Sequence, residues 1–152
     1  MRRIANIGAL LKKTYRIYSG DLLQALQEKG FIDLRPSFLE ILTYVCETES
    51  SSIKEIGVAC GLKKQTMTSH LNELETRGYI IRSTGEKDKR ELRVSLTEYG
   101  EKFKITLIEV INDLEFHYLK SIGDVELDRI VHTLENFHQK IQKTEMQQKL
   151  SL

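Results

Sequence analysis

Tryptophan is absent from the 152 residues, proline occurs once, at Pro36, and cysteine twice, at Cys46 and Cys60. A single proline leaves nearly the whole chain free to form long helices, because proline breaks helix interiors. Two cysteines are too few for a disulfide framework, so stability must come from a packed core, and the chain reads as cytoplasmic. No run approaches the roughly 18 consecutive apolar residues of a membrane span, and no membrane partner is expected. Met1-Arg2-Arg3 is basic but continues into an amphipathic pattern with Lys12, Lys13 and Arg16, without the apolar block of a signal peptide. Charge of one sign is lacking too: 23 Lys and Arg face 22 Asp and Glu, a net charge of +1. Any argument from charge must therefore be local.

Catalytic machinery is also missing. There is no Gly-rich phosphate loop, no Ser/His/Asp setting and no pair of acids placed for general acid-base work, so the chain is not read as an enzyme. The four histidines, His70, His117, His132 and His138, show no His-x-x-x-His spacing, and the cysteines no Cys-x-x-Cys spacing. No metal site and no cofactor is expected.

What is present is periodicity. Apolar residues recur at helical spacing from Ile4 to Lys29, through Ile7, Leu10, Leu11, Tyr15, Tyr18, Leu22 and Leu26, and Gly30 ends the pattern as a C-cap. After a break from Asp33 to Pro36, with Pro36 suited to a first helical turn, a second helix carries Phe38, Leu39, Leu42 and Val45. It stops in the polar run Glu47 to Ser51. Ser52 and Glu55 form a capping box for a short third helix with Ile53, Ile56 and Ala59 inward. Gly61-Leu62 makes a tight break, and a fourth helix with Met67, Leu71 and Leu74 on one face runs to Gly78. The period then changes to two. Tyr79 to Thr84 reads as a strand, Gly85 to Arg90 as a charged turn, and Leu92, Val94 and Leu96 as a second strand. Thr97 caps a fifth helix with Phe103, Leu107, Val110, Ile111, Leu114 and Tyr118. Gly123-Asp124 leads into a sixth with Leu127, Ile130, Leu134, Phe137 and Ile141.

A short helix, a tight turn, a second helix and a basic hairpin make a winged helix-turn-helix. The fold class expected is mainly α with a small β-hairpin wing, the winged lobe flanked by N- and C-terminal dimerisation helices. The organisation expected is a dimerisation helix at 1–33, the DNA-binding lobe at 34–97, C-terminal dimerisation helices at 98–143 and a frayed tail at 144–152. A DNA major groove admits one helix whose outer face must be polar. On the fourth helix Gln65, Ser69, Asn72 and Thr76 lie opposite Met67, Leu71 and Leu74, and Lys63 and Lys64 stand at its entrance. Between residues 63 and 93, eight basic residues (Lys63, Lys64, Arg77, Arg82, Lys87, Lys89, Arg90, Arg93) face five acids. Positive charge thus concentrates where a DNA surface is required.

The stretch from Gly61 to Gly100 resembles the MarR family of regulators. The residues that carry the resemblance are Thr66-x-Thr68, Leu74-Glu75-x-Arg77-Gly78-Tyr79-Ile80, Asp88-x-Arg90 and Val94-Ser95-Leu96-Thr97-Glu98-x-Gly100. The resemblance implies that Arg90 enters the minor groove, that Asp88 orients the wing, and that the first and last two helices interlock into a dimer. Two departures stand out. Lys63 occupies a position where the family often has a Ser or Asp cap, and Ser69 one where it often has a base-reading arginine.

These readings set the expected sites. The recognition helix offers Lys63, Lys64, Gln65, Thr66, Thr68, Ser69, His70 and Asn72, and the wing Arg82, Lys87, Asp88, Lys89 and Arg90. The dimer interface would use Ile4, Ile7, Leu11, Leu127, Ile130, Leu134, Phe137 and Ile141. The resemblance implies a ligand pocket for a small aromatic or anionic effector, for which Tyr15, Tyr18, Phe38, Leu42 and Phe103 are candidates; the plainer alternative is core. The function expected is sequence-specific binding of double-stranded DNA by a homodimer on a pseudo-palindromic operator, as a transcriptional repressor relieved by a small ligand. Two alternatives stay open: a helical protein-interaction module, and a redox-sensing regulator acting through Cys46 or Cys60.

Overall fold

The computed structural model describes the backbone of residues 2–150 and the side chains of residues 2–142. The chain divides into two compact units, Met1–Ile111 and Asn112–Leu152. The first holds α1 (Arg3–Glu28), α2 (Pro36–Glu47), β1 (Ser51–Ser52), α3 (Ile53–Cys60), α4 (Lys64–Thr76), β2 (Ile80–Thr84), β3 (Leu92–Leu96) and α5 (Glu98–Ile122) as far as Ile111. The second holds the rest of α5 and α6 (Asp124–Leu150). The division falls inside α5 because its buried side chains, Phe103, Leu107 and Val110, all precede it. Likewise α1 joins the first unit through its second half, where Leu22 and Leu26 are buried.

Local signals set most boundaries. Pro36 opens α2. The Ser52 hydroxyl accepts the Glu55 backbone N–H at 3.0 Å and so caps α3. Gly61 sits at φ 64°, a left-handed conformation that costs glycine little, and closes α3 tightly enough for α4 to start at Lys64. Lys63 gives α4 no side-chain cap, as its position in the sequence led one to expect. At the far end α6 runs to Leu150, into the stretch from 144 expected to fray; residues 143–150 contain strong helix formers and neither Gly nor Pro. Side chains in that tail, and residues 151–152 altogether, lie outside the described residues.

The wing is larger than the expected hairpin. It is a three-stranded antiparallel sheet in the order β1-β3-β2, with Ser51 opposite Val94, Ile80 opposite Leu96 and Thr84 opposite Leu92. Ser51 and Ser52 were expected only to end a loop and start a helix; they also form a strand. Arg93 fastens this edge, donating to the Ser50 hydroxyl at 2.9 Å and the Ser50 carbonyl at 2.7 Å.

The core of the first unit is aromatic at its centre. Phe38, Tyr79 and Phe103 are fully buried. Tyr79 meets Phe103 edge-on at 5.5 Å and lies 5.0 Å from Tyr99, while Phe31 meets Phe103 edge-on at 5.3 Å. Such pairs add to their area burial. The Tyr79 hydroxyl donates to the Asp33 carboxylate at 2.7 Å. Burial and this acceptor hold its phenol well above the ordinary range. Ala59, expected inward, is exposed, because the short α3 buries only Ile56 completely.

Candidate nucleic-acid interface

Helix α4 has two chemically distinct faces. Met67, Leu71 and Leu74 are buried. Lys63, Lys64, Gln65, Thr66, Thr68, Ser69, Asn72 and Thr76 are exposed. Thr68 and Thr76 turn their hydroxyls back onto the carbonyls of Lys64 and Asn72, both at 2.9 Å. Each hydroxyl keeps acceptor capacity. Gln65, Ser69 and Asn72 present their polar ends outward with no side-chain hydrogen bond among the described residues.

His70 departs from the expected set. It is half-buried, its ring stands edge-on to Phe38 at 5.3 Å, and its Nδ1 is buried without a hydrogen-bond partner. At 100° per residue it lies only about 60° around the helix from Met67, on the flank of the core face. It supports α4 from behind.

The basic residues sort into two groups. Arg77 pairs with Glu73 at 3.2 Å and donates to the Asp33 carbonyl, tying α4 to the loop before α2. Arg35 joins the same Glu73 at 3.1 Å and lies over the Phe38 ring at 4.3 Å. Arg82 pairs with Glu75 at 2.6 Å and Arg93 with Glu91 at 3.2 Å. Arg82, expected on the DNA surface, is therefore engaged in holding the wing against α4. The partner of each of these arginines lies on a neighbouring element or a few residues along the chain, which a count of charges does not register. Exposed pairs of this kind contribute only modestly to stability; their consequence is orientation.

The second group is unpaired. Lys63 and Lys64 at the start of α4, and Lys87, Lys89 and Arg90 at the wing tip, are exposed and make no ion pair among the described residues. Against these five cations stand only Glu86 and Asp88 of the local acids. Asp88 is committed: its carboxylate accepts the Arg90 backbone N–H at 2.9 Å and closes the turn that carries Arg90. A second closure, from the Gly85 N–H to the Glu91 carbonyl at 2.8 Å, fixes the neck of the loop. The positive excess seen in the sequence survives pairing and is focused on two places, the entrance of α4 and the tip of the wing.

A polar-faced helix set behind a tight turn, with a basic three-stranded wing locked to it by Arg82 and Glu75, defines a winged helix-turn-helix protein. Residues 39–91 match the model of the MarR family. The HTH-type transcriptional regulator SarZ of Staphylococcus aureus (strain MRSA252) is 34% identical over 97 residues, and the match spans 64% of the length of each chain. Streptococcus pneumoniae FabT, solved in complex with DNA, superposes with a TM-score of 0.77 at 18% identity, over 93% of this chain and 99% of that one. A mutant MarR from E. coli, solved with operator DNA, gives 0.76 at 18% identity, over 88% and 94%. At such identities the superpositions establish the fold.

The remaining expected residues fall in other surroundings. Phe38, Leu42 and Phe103 are fully buried core. Tyr15 and Tyr18 do line a cavity, of about 280 Å³, between α1, α2 and α3. Of the five pocket candidates, two line this cavity and three lie in the core; helical spacing gives a face but not whether the facing elements close over it. Both cysteines are shifted away from the thiolate form on which redox sensing relies. Burial pushes the Cys46 thiol up to about 11, and burial together with Glu40 raises that of Cys60. Both shifts favour the neutral thiol across the physiological range. Iodoacetamide at pH 8 is expected to label Cys46 in the folded protein roughly 100-fold more slowly than an unperturbed thiol, with the rate rising as pH approaches 11. Peptide-level mass spectrometry reads this directly, and labelling at the free-thiol rate would contradict it.

Proposed function

We propose that the protein is a transcriptional regulator that binds double-stranded DNA as a homodimer and reads a pseudo-palindromic site. The observation that carries this reading is the survival of unpaired charge at the α4 entrance and wing tip, on either side of an exposed face of amide and hydroxyl side chains. Gln65 and Asn72 have the bidentate geometry that recognises adenine, and Thr66, Thr68 and Ser69 suit base edges or phosphates. Lys63 and Lys64 supply phosphate contacts that carry no sequence information. Arg90, on its Asp88-closed turn, is the residue we place in the minor groove, where arginine favours narrow A·T-rich segments. Solution of FabT and MarR with DNA supports the same use of the shared fold.

The dimer is supported by apolar surface. Among the described residues α1 leaves Ile4, Ile7, Leu10, Leu11 and Ile17 exposed, and α6 leaves Val125, Ile130, Val131, Leu134 and Ile141 exposed. Leu127 and Phe137 are half-buried. Exposed apolar surface on this scale marks an interaction site, and a two-fold copy is the commonest partner. If the dimer acts only by occupying its site, the regulation is repression.

The test is Arg90→Ala. Its side chain is exposed and unpaired, so thermal stability should not change. Affinity for the selected site should fall by on the order of 1–3 kcal/mol, with the salt slope reduced by about 1. Anisotropy titrations at several salt concentrations, beside a melting curve, check both. Unchanged affinity would remove Arg90 from the interface.

A further inference from the structure

The 280 Å³ cavity has a chemistry of its own. Its wall carries three phenol rings, Tyr15 and Tyr18 from α1 and Tyr44 from α2. Two carboxylates, Glu40 and Glu47, share that wall, and Cys60 closes the α3 side. No Lys, Arg or His lines it. The expected anionic effector would therefore meet two negative charges and no positive one.

We propose that this cavity binds a small organic cation, an ammonium group carried on an apolar or aromatic body. Three independent features agree on the sign. The first is the pair of glutamates, and the field of Glu40 is felt inside: it raises both the Tyr15 phenol and the Cys60 thiol, after burial. The second is the backbone. α2 ends at Glu47 and α3 at Cys60, both at the cavity, and neither helix has a basic residue in its last turn. Helix C-termini carry partial negative charge that favours cations. The third is the set of aromatic rings, with Tyr15 and Tyr18 6.3 Å apart and tilted by 48°. The faces of tyrosine rings attract cations, most strongly quaternary ammonium groups. Leu22 and Leu39 complete the lining and supply apolar contact for the body of the ligand. The volume is at the small end for ligand pockets, which limits the ligand to about one ring beside the ammonium.

Isothermal titration calorimetry of the full-length protein with three probes of similar size tests this: benzyltrimethylammonium, benzyl alcohol and benzoate. The cation is expected to bind about tenfold or more tighter than the neutral alcohol, with benzoate weakest. Glu40→Gln, at an exposed position that leaves the fold intact by melting curve, should weaken the cation about fivefold and leave the alcohol unchanged. Tyr44→Phe keeps the ring and should retain cation binding, whereas Tyr44→Leu should reduce it. Binding of benzoate or the alcohol as tightly as the cation would overturn the proposal. So would equal cation binding by the Gln variant, or no cation binding at millimolar concentration, the result expected if a second copy fills the cavity. Ligand binding is read without DNA, so failure of the DNA reading leaves this result intact.

Discussion

Gly100→Ala is expected to destabilise the protein by about 3 kcal/mol or more, the upper end for overpacking a tight site. Gly100 lies in the first turn of α5, where its N–H donates to the Thr97 hydroxyl at 3.0 Å. Thr97 in turn donates from its hydroxyl to the Gly78 carbonyl and from its backbone N–H to the Tyr79 carbonyl at 3.1 Å. This clamp draws the start of β2 onto the start of α5. A methyl group on Gly100 would stand 2.1 Å from the Tyr79 carbonyl oxygen and 3.0 Å from Leu96 Cδ2. The obstacle is backbone, which no rotamer change relieves, so the strand and helix must part. Tyr79 is the largest fully buried side chain among the described residues and sits at that contact, so the aromatic core opens with it. Gly20→Ala is the control. It lies inside α1 with nothing within 4 Å of the added carbon, and should gain up to about 1 kcal/mol from helix propensity. Urea unfolding at one fixed protein concentration compares the three proteins. A Gly100→Ala midpoint equal to that of the parent would show that the clamp is not tight.

Ending the chain at residue 123, before α6, should abolish the dimer and give aggregated or unfolded protein. In α5 no residue beyond Val110 is fully buried, and α6 has no buried residue among those described. Phe116, Ile122, Val125, Ile130, Leu134 and Ile141 are all exposed. A pair of helices without buried side chains has no reason to persist alone, since most helical stability in proteins comes from packing an apolar face. The missing burial is supplied by a partner in our account, and stable interfaces bury more than roughly 1,000 Å² in total. Removing α6 deletes much of that area and leaves the α5 surface uncovered. Light scattering after gel filtration, with circular dichroism, distinguishes the outcomes. A monodisperse, folded monomer at micromolar concentration would refute the dimer.

The parts of this fold that were legible in the sequence are those set within a few residues. Pro36, the Ser52 cap, the break at Gly61 and the Thr97 cap each act on their own turn of chain, and the buried face of α4 follows from spacing alone. β1 was not legible. Ser51 and Ser52 carry no alternation, and they become a strand only because Val94 and Arg93, more than 40 residues later, lie beside them. The charged surface was half legible. Counting charges found the excess, but Arg77 and Arg82 belong to ion pairs that orient α4 and the wing, so the unpaired cations are fewer and more focused than the count implied. His70 could have been placed on the flank of the core from its spacing to Met67 and Leu74. The cavity could not be read at all. Tyr15 and Tyr18 share a helix face with the core residue Leu22, and nothing local tells that Glu40, Tyr44 and Glu47 meet them across a gap.

The central claim is that two copies of α4 and the wing read DNA together. Selection of sites from a randomised duplex pool by the purified full-length protein tests it most directly. The account predicts an enriched two-fold pseudo-palindrome with half-sites about 10 bp apart, centre to centre, flanked by A·T-rich steps where Arg90 enters the minor groove. A pool that remains random after repeated selection, or that yields a single half-site without two-fold symmetry, would contradict it.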